Sequence, residues 1–193
     1  MDRDKYRTFA ELRENEVENR DYRIRVSAVA GSDVVILAPH GGKIEFLTSD
    51  LASSIAGVDH SLYAFEGAKA DDNGELHITS SNFDEPRALA LVAGCATVVT
   101  VHGLSGDTRE IQIGGRDAGL RTRIAANLRK AGFKSRVETS GQFGGVDEDN
   151  ICNRGTSGEG AQIEITAGLR RLLRKDGERY AAFVDAVRRA VVP

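Results

Sequence analysis

The chain has 193 residues, 40% hydrophobic and 28% charged, and carries a formal net charge of -3. That length suits one domain with a real core, and a slightly acidic chain without a long Lys/Arg patch argues against nucleic acid as the main partner. No apolar run approaches the roughly 18–20 residues of a membrane span, and the charged start Met1-Asp2-Arg3-Asp4-Lys5-Tyr6-Arg7 has no apolar region behind it, so the expectation is a protein kept in the cytoplasm or released by cell lysis, with no membrane partner.

In chain order, Thr8 to Glu16 suits a short helix, with Thr8 as N-cap and Glu11 completing a capping box. Tyr22, Ile24 and Val26 alternate with polar residues and read as a half-exposed strand. The turn Gly31-Ser32-Asp33 leads into an apolar run, Val34 to Ala38, which reads as a buried strand ending at Pro39. Ser49 or Asp50 is expected to cap a helix carrying Leu51 and Ile55, ended by Gly57. Ser61 to Gly67 is a further strand, Ala70 to Glu75 a polar loop around Asn73-Gly74, and Leu76 to Thr79 a short strand. Asp84 or Glu85 caps a helix with Pro86 in its first turn, and the strand Thr97–Val101 follows.

Glu110 to Ile113 alternates as a strand, and Asp117 opens a helix whose Leu120, Ile124 and Leu128 recur every four residues. A weak strand is expected near Lys134–Val137. Gly141 to Gly160 has no period and many glycines, and a structureless stretch of that length is often functional. Ala161 to Ile165 is the last strand, followed by helices marked by Leu169, Leu172 and Leu173 and then by Tyr180, Phe183, Val184, Val187 and Val191. Cys95 and Cys152 show no paired spacing; Cys95 reads as a small core residue and no disulfide is required. Strands alternating with helices predict an α/β fold, a single compact domain with a mostly parallel (mixed) central sheet and helices on both faces.

Ligands of open α/β sheets sit just past the carboxyl ends of the strands. There the chain places His40-Gly41-Gly42-Lys43-Ile44-Glu45 and, after the Thr97–Val101 strand, His102-Gly103. If those strands are parallel neighbours, His40, Glu45 and His102 converge as three metal ligands with an open fourth position, the catalytic form of zinc. The plainer alternative makes His40 a loop hydrogen-bonder and Glu45 a solvated helix-start residue. Glu164 is the only carboxylate within an apolar strand, Ile163-Glu164-Ile165; burying it costs several kcal/mol unless it meets the site or an arginine. It is the candidate general base, with an exposed strand face as the other reading. Asn153-Arg154 and Arg116 are candidate substrate-binding residues, because arginine suits bidentate carboxylate recognition; a solvated position is the alternative for each arginine. Arg170, Arg171 and Arg174 read as the solvated face of a helix, His60 as a surface residue in a polar turn, and His77 as a possible hydrogen-bonding neighbour of the site.

At these residues the sequence resembles the phage and bacillus poly-γ-glutamate hydrolases. The likeness is carried by Ala38-Pro39-His40-Gly41-Gly42-Lys43-Ile44-Glu45, Tyr63-Ala64-Phe65-Glu66-Gly67, Leu76-His77-Ile78-Thr79-Ser80, Phe83-Asp84-Glu85-Pro86, Val101-His102-Gly103, Gly114-Gly115, Asn153-Arg154-Gly155 and Gln162-Ile163-Glu164-Ile165. It spans nearly the whole chain in order. The resemblance implies one domain over residues 1–193 with a small, open zinc-carboxypeptidase-like fold, a monomer cutting the γ-linked amide bonds of a polyanionic peptide polymer. The implied zinc ligands fall on His40, Glu45 and His102, and the implied base on Glu164. The His-x4-Glu spacing departs from the His-x2-Glu of larger zinc carboxypeptidases and fits this smaller family. Two competing readings are a zinc amidohydrolase for another small acidic N-acyl amino acid, and a non-catalytic phage or replication-associated binding module.

Overall fold

The computed structural model describes residues 4–192. Met1, Asp2 and Arg3 of the charged start lie outside the described residues, as does Pro193. The elements run α1 (Phe9–Asn15), β1 (Tyr22–Ser27), β2 (Val34–Gly42), α2 (Thr48–Ala56), β3 (Ser61–Gly67), α3 (Pro86–Val92), β4 (Thr97–Leu104), β5 (Glu110–Gly114), α4 (Ala118–Lys130), β6 (Lys134–Val137), β7 (Ala161–Thr166), α5 (Ala167–Lys175) and α6 (Gly177–Val191). The strands form one 7-stranded sheet in the order β1-β3-β2-β4-β7-β5-β6. Pairing is parallel through β3, β2, β4 and β7 and between β5 and β6; β1 against β3 and β5 against β7 are antiparallel. This is the mixed α/β sheet that the alternating pattern predicts.

Each face of the sheet has its own core. Val34, Ile36 and Ala38 of β2, Val99 and Val101 of β4, and Ala161, Ile163 and Ile165 of β7 pack with α2, α4, α5 and α6. The alternate residues Val35, Leu37 and Val98 pack on the other face with Phe9 and Leu12 of α1 and with Ala88 and Val92 of α3. The four-residue stripe of α4 explains its docking: Leu120, Ile124 and Leu128 are fully buried, each worth about 1.5–3 kcal/mol over exposure.

Helix starts follow the expected chemistry at three places. Thr8, Glu85 and Asp117 each accept a backbone N–H of the first turn, from Glu11, Ala88 and Leu120 respectively. Elsewhere the structure differs from the sequence reading. The α2 helix begins after Leu47, held left-handed at φ 74 with no side-chain cap, rather than at a Ser49 or Asp50 cap. Leu76 to Thr79 is not a strand. Asn73–Leu76 is a 3-10 turn, and Leu76 and Ile78 bury into the α1/α3-side core instead of pairing with the sheet. His60 is buried rather than a surface residue, and that burial lowers its pKa. Arg170 lies on the inner side of α5, 4% exposed, whereas Arg171 and Arg174 are exposed as expected. Cys95 and Cys152 are both buried and free.

One irregularity decides where the site forms. Ala38 pairs with Ala64, but the next pair is Gly41 with Glu66, three steps along β2 against two along β3. Along a regular strand His40 would share the face of Val34, Ile36 and Ala38. The extra residue turns it to the opposite face, where its ring meets Phe83 edge-on with centroids 6.2 Å apart. Gly42 closes the slip at φ 63, and a Cβ there would meet the Gly67 carbonyl at 2.6 Å, so only glycine fits.

Candidate active site

Gln162 and Glu164 of β7 face away from Ile163 and Ile165, and so point to the same side as Thr100 and His102 of β4. His102 and Glu164 are direct register partners across that parallel pair. With His40 brought to this face, the carboxyl ends of β2, β4 and β7 present two imidazoles and a carboxylate side by side. Glu45 arrives from the turn after β2, held by its N–H donating to the His40 carbonyl at 2.9 Å. Its side chain accepts the Gly103 N–H at 2.8 Å.

These groups line a cleft of about 400 Å³ together with His77, Ser80, Ser81, Gly103 and residues of the 141–150 segment. That segment is tied to the opposite rim: the Ile151 N–H donates to the Ser80 carbonyl at 3.0 Å. The long glycine-rich stretch is therefore a wall of the cleft, anchored by a short 3-10 turn, Ile151–Asn153.

Hydrogen bonding fixes the His40 tautomer. Its Nε2 lies 2.8 Å from the Ile78 carbonyl oxygen, which can only accept, so Nε2 carries the proton and Nδ1 of the neutral ring is bare. That Nδ1 is 3.2 Å from Nδ1 of His102, 3.5 Å from Glu45 Oε1, while His102 Nδ1 is 3.9 Å from Glu45 Oε2. His102 Nε2 is 3.5 Å from the Ser80 hydroxyl. Either His102 Nδ1 carries the ring proton and donates it to His40 Nδ1, or both nitrogens are bare and a cation between them satisfies the pair beside the buried carboxylate. The spacings suit a metal ion: tetrahedral ligands at about 2.0–2.1 Å from zinc lie about 3.3 Å apart.

The titration shifts have the same origin. Burial opposes charge on Glu45, but His40, His102 and the Gly103 N–H outweigh it and hold the carboxyl at about 2. Burial also disfavours His40 charge, yet Glu45 and the Ile78 carbonyl prevail and raise its pKa. For His102, burial and then the neighbouring His40 push it down to about 3. Glu164 is raised to about 8, first by burial and then by Glu45; its Oε1 accepts Gln162 Nε2 at 3.3 Å.

His77 was outside the candidate ligand set, and the structure brings it to the site. Its ring stacks on His40 at 3.9 Å, and ligand atoms of His40, Glu45 and His77 all lie within 4.8 Å of one another. Its Nδ1 is already bonded to Asp4 Oδ1 at 2.7 Å, and Asp4 also accepts the Thr79 N–H. No short-range pattern links Asp4 to His77, so this pair was invisible in the sequence.

The three candidate substrate residues are placed differently. Asn153 is turned inward: its Nδ2 donates to the Gly145 and Asp147 carbonyls at 2.7 Å each, and its Oδ1 accepts the N–H groups of Arg116 and Gly160 at 3.2 Å each. Arg154 is exposed and is not part of the cleft lining. Arg116 lines an adjoining depression with Arg121 and Glu148, which meets the main cleft at Val146. Among the described residues that line the main cleft there is no Lys or Arg.

An open α/β sheet with a buried histidine–carboxylate cluster at its strand ends defines a protein with a polar strand-end site. The same fold, by likeness of structure alone, occurs in N-formylglutamate amidohydrolase from Ralstonia eutropha, with a TM-score of 0.58 at 13% identity over 88% of this chain and 95% of that one. The chain belongs to the poly-gamma-glutamate hydrolase family, whose model matches residues 6–183. It is 38% identical to YndL of Bacillus subtilis (strain 168) over 88% of this chain and 67% of that protein. It is 36% identical to the SPbeta prophage-derived YoqZ of the same strain over 95% and 69%. A solved bacteriophage poly-gamma-glutamate hydrolase superposes with a TM-score of 0.93 at 30% identity, covering 97% of this chain and 96% of that one. A YndL structure described as apo and zinc-free gives 0.88 at 34% identity, covering 97% of each.

Proposed function

We propose that this chain, as one domain and a monomer, is a zinc-dependent hydrolase that cuts the γ-glutamyl amide bonds of poly-γ-glutamate. The observation that carries the reading is the 3.2 Å approach of His40 Nδ1 to His102 Nδ1 beside Glu45, a buried set whose spacing can hold a cation. The family membership and the zinc-free description of the YndL structure support the choice of metal and substrate. His40, Glu45 and His102 would hold zinc. His77, with Nδ1 committed to Asp4, supports the ring of His40. Bound there, zinc supplies an acidified water and a Lewis acid for the amide carbonyl.

Glu164 would take the proton of the attacking water and return it to the leaving amine. Its carboxyl is held up by burial and by the charge of Glu45. Neutralising Glu45 with a cation lowers it, so the carboxylate form is available near neutral pH. Asn153 would hold the cleft wall in shape. Arg116, and Arg154 further out, would meet only the side carboxylates of a polymer that runs past the cleaved bond. Inside the cleft, the hydroxyls of Ser80 and Ser81 and the amide of Gln142 are the available partners, while the amides of Asn150 and Gln162 are committed to each other and to the cleft wall.

The test is incubation of the purified protein with poly-γ-glutamate, following chain length on a gel, with chelator and after zinc is returned. Shortening that chelator stops and zinc restores is expected. Unchanged chain length with zinc bound would refute the substrate, and shortening that chelator leaves untouched would refute the metal. A parallel assay on N-acyl glutamates separates polymer cleavage from action on small acidic amides.

A further inference from the structure

We infer that Arg170 is the positioning residue that sets the mutual placement of Glu45, His102 and Glu164, an inference that rests on the reading of those residues as the site. The guanidinium donates three hydrogen bonds to three separate segments. Nη1 donates to the Phe46 carbonyl at 2.9 Å, Nη2 to the Leu104 carbonyl at 2.9 Å, and Nε to the Ile165 carbonyl at 3.1 Å. Phe46 follows Glu45, Ile165 follows Glu164, and Leu104 lies two residues beyond His102. One rigid group therefore takes a backbone carbonyl one or two residues beyond each of three site residues.

The contact with the middle strand is tighter still. Gly103 lies against the guanidinium so closely that a Cβ there would be 2.5 Å from Arg170 Cζ. The Gly103 N–H, in turn, is the donor to Glu45 Oε2 at 2.8 Å. Arg170 thus sets the height of Gly103, and Gly103 sets the orientation of Glu45. The guanidinium also lies over the Phe46 ring, 4.4 Å from its centroid.

Packing alone does not call for this residue. Leu169 and Leu173 beside it fill the space between α5 and the sheet with apolar side chains. A buried cation costs several kcal/mol in lost hydration, and among the described residues no carboxylate forms a direct ion pair with Arg170. What arginine offers over lysine or leucine is a planar fork of fixed angles, and here that fork spans the ends of β4 and β7 and the turn after β2.

The experiment compares the full-length wild type with R170K, G103A and L173A. Two quantities are read: kcat and KM on poly-γ-glutamate, and the exchange rate of the Gly103 amide followed by NMR in the metal-free protein. R170K is expected to fold, to lose at least about tenfold in kcat with KM within about twofold, and to speed Gly103 exchange about tenfold. G103A keeps the arginine side chain but pushes its guanidinium aside, and should reproduce the kcat loss. L173A removes packing from the same helix and should lower Tm while leaving kcat and Gly103 exchange near wild type. Wild-type kcat or wild-type Gly103 exchange in folded R170K overturns the inference, as does an equal kcat loss in L173A. If R170K does not fold, wild-type kcat in G103A overturns it. Should the wild type itself fail to cleave the polymer, the proposed function falls, while the exchange comparison still decides the role of Arg170.

Discussion

Replacing Glu164 by glutamine separates chemistry from metal binding. The substitution keeps the side-chain shape and the acceptor for Gln162 Nε2, and it removes the proposed base. Loss of a general base costs about 10²–10⁴ in rate, or about 3–5.5 kcal/mol of transition-state free energy. Zinc content should stay at about one per chain, because the proposed ligands are His40, Glu45 and His102 and not Glu164. The same variant carries a second signature in metal-free protein. The folded-state pKa of Glu164 is raised to about 8 against an ordinary 4.5. A carboxyl raised in this way costs nothing below pH 4.5, and it destabilises the fold progressively as pH rises toward 8, because the unfolded chain ionises first. The shift corresponds to about 3 kcal/mol lost between pH 5 and pH 8. E164Q should abolish that decline, so its Tm advantage over wild type in chelator grows by several degrees from pH 5 to pH 8. The assays are steady-state turnover on poly-γ-glutamate, elemental analysis, and thermal melts at the two pH values. Wild-type turnover in E164Q, or loss of its zinc, would refute the assignment; a pH-independent Tm difference would refute the electrostatics.

His40→Ala and His102→Ala should each lose most of the bound zinc and with it the turnover, read by elemental analysis after dialysis; full retention in both would mean the ligands are elsewhere. Glu45→Gln should weaken metal binding before it weakens chemistry, the reverse of E164Q, which a chelator competition series will show. Arg116→Ala should raise KM more than it lowers kcat, and added salt should shrink the difference, since exposed charge contacts are screened over about 10 Å at 0.1 M; salt-independent kinetics equal to wild type would remove Arg116 from substrate binding. Asn153→Ala leaves the Gly145 and Asp147 carbonyls and the Arg116 and Gly160 N–H groups without their partner, and should cost about 1–3 kcal/mol in denaturant unfolding.

The strand-end histidines and the apolar runs before them were legible because parallel strands lead their ligands to one edge. Glu164 was legible as a carboxylate out of place between two isoleucines. What escaped the sequence was long-range. Arg170 sits in a run of arginines whose neighbours are solvated, and nothing local tells it from Arg171. Its partners are carbonyls, which every residue has, so no side-chain pattern advertises them. Leu76 to Thr79 has the alternation of a strand, yet its apolar residues bury under α1 and α3, and its backbone serves His40 instead of the sheet. Asn153 and Arg154 lie beside each other in sequence but take opposite directions, because a 3-10 turn rotates one inward and leaves the other in solvent.

The one-residue slip between β2 and β3 also constrains how this chain can vary. The identity of most residues from Val34 to Ala38 matters only through size and apolarity, so substitutions among them are absorbed by repacking. Their number is another matter. Straightening β2 with Pro39 still in place would put His40 in the layer of Ile36 and Ala38, on the far side of the sheet from His102 and Glu164, whereas removing Pro39 as well would leave His40 directly after Ala38 and still facing them. In this segment the site is encoded by arithmetic: the slip and the residue it absorbs belong together, and the face that His40 takes depends on the parity of the residues between it and Ala38.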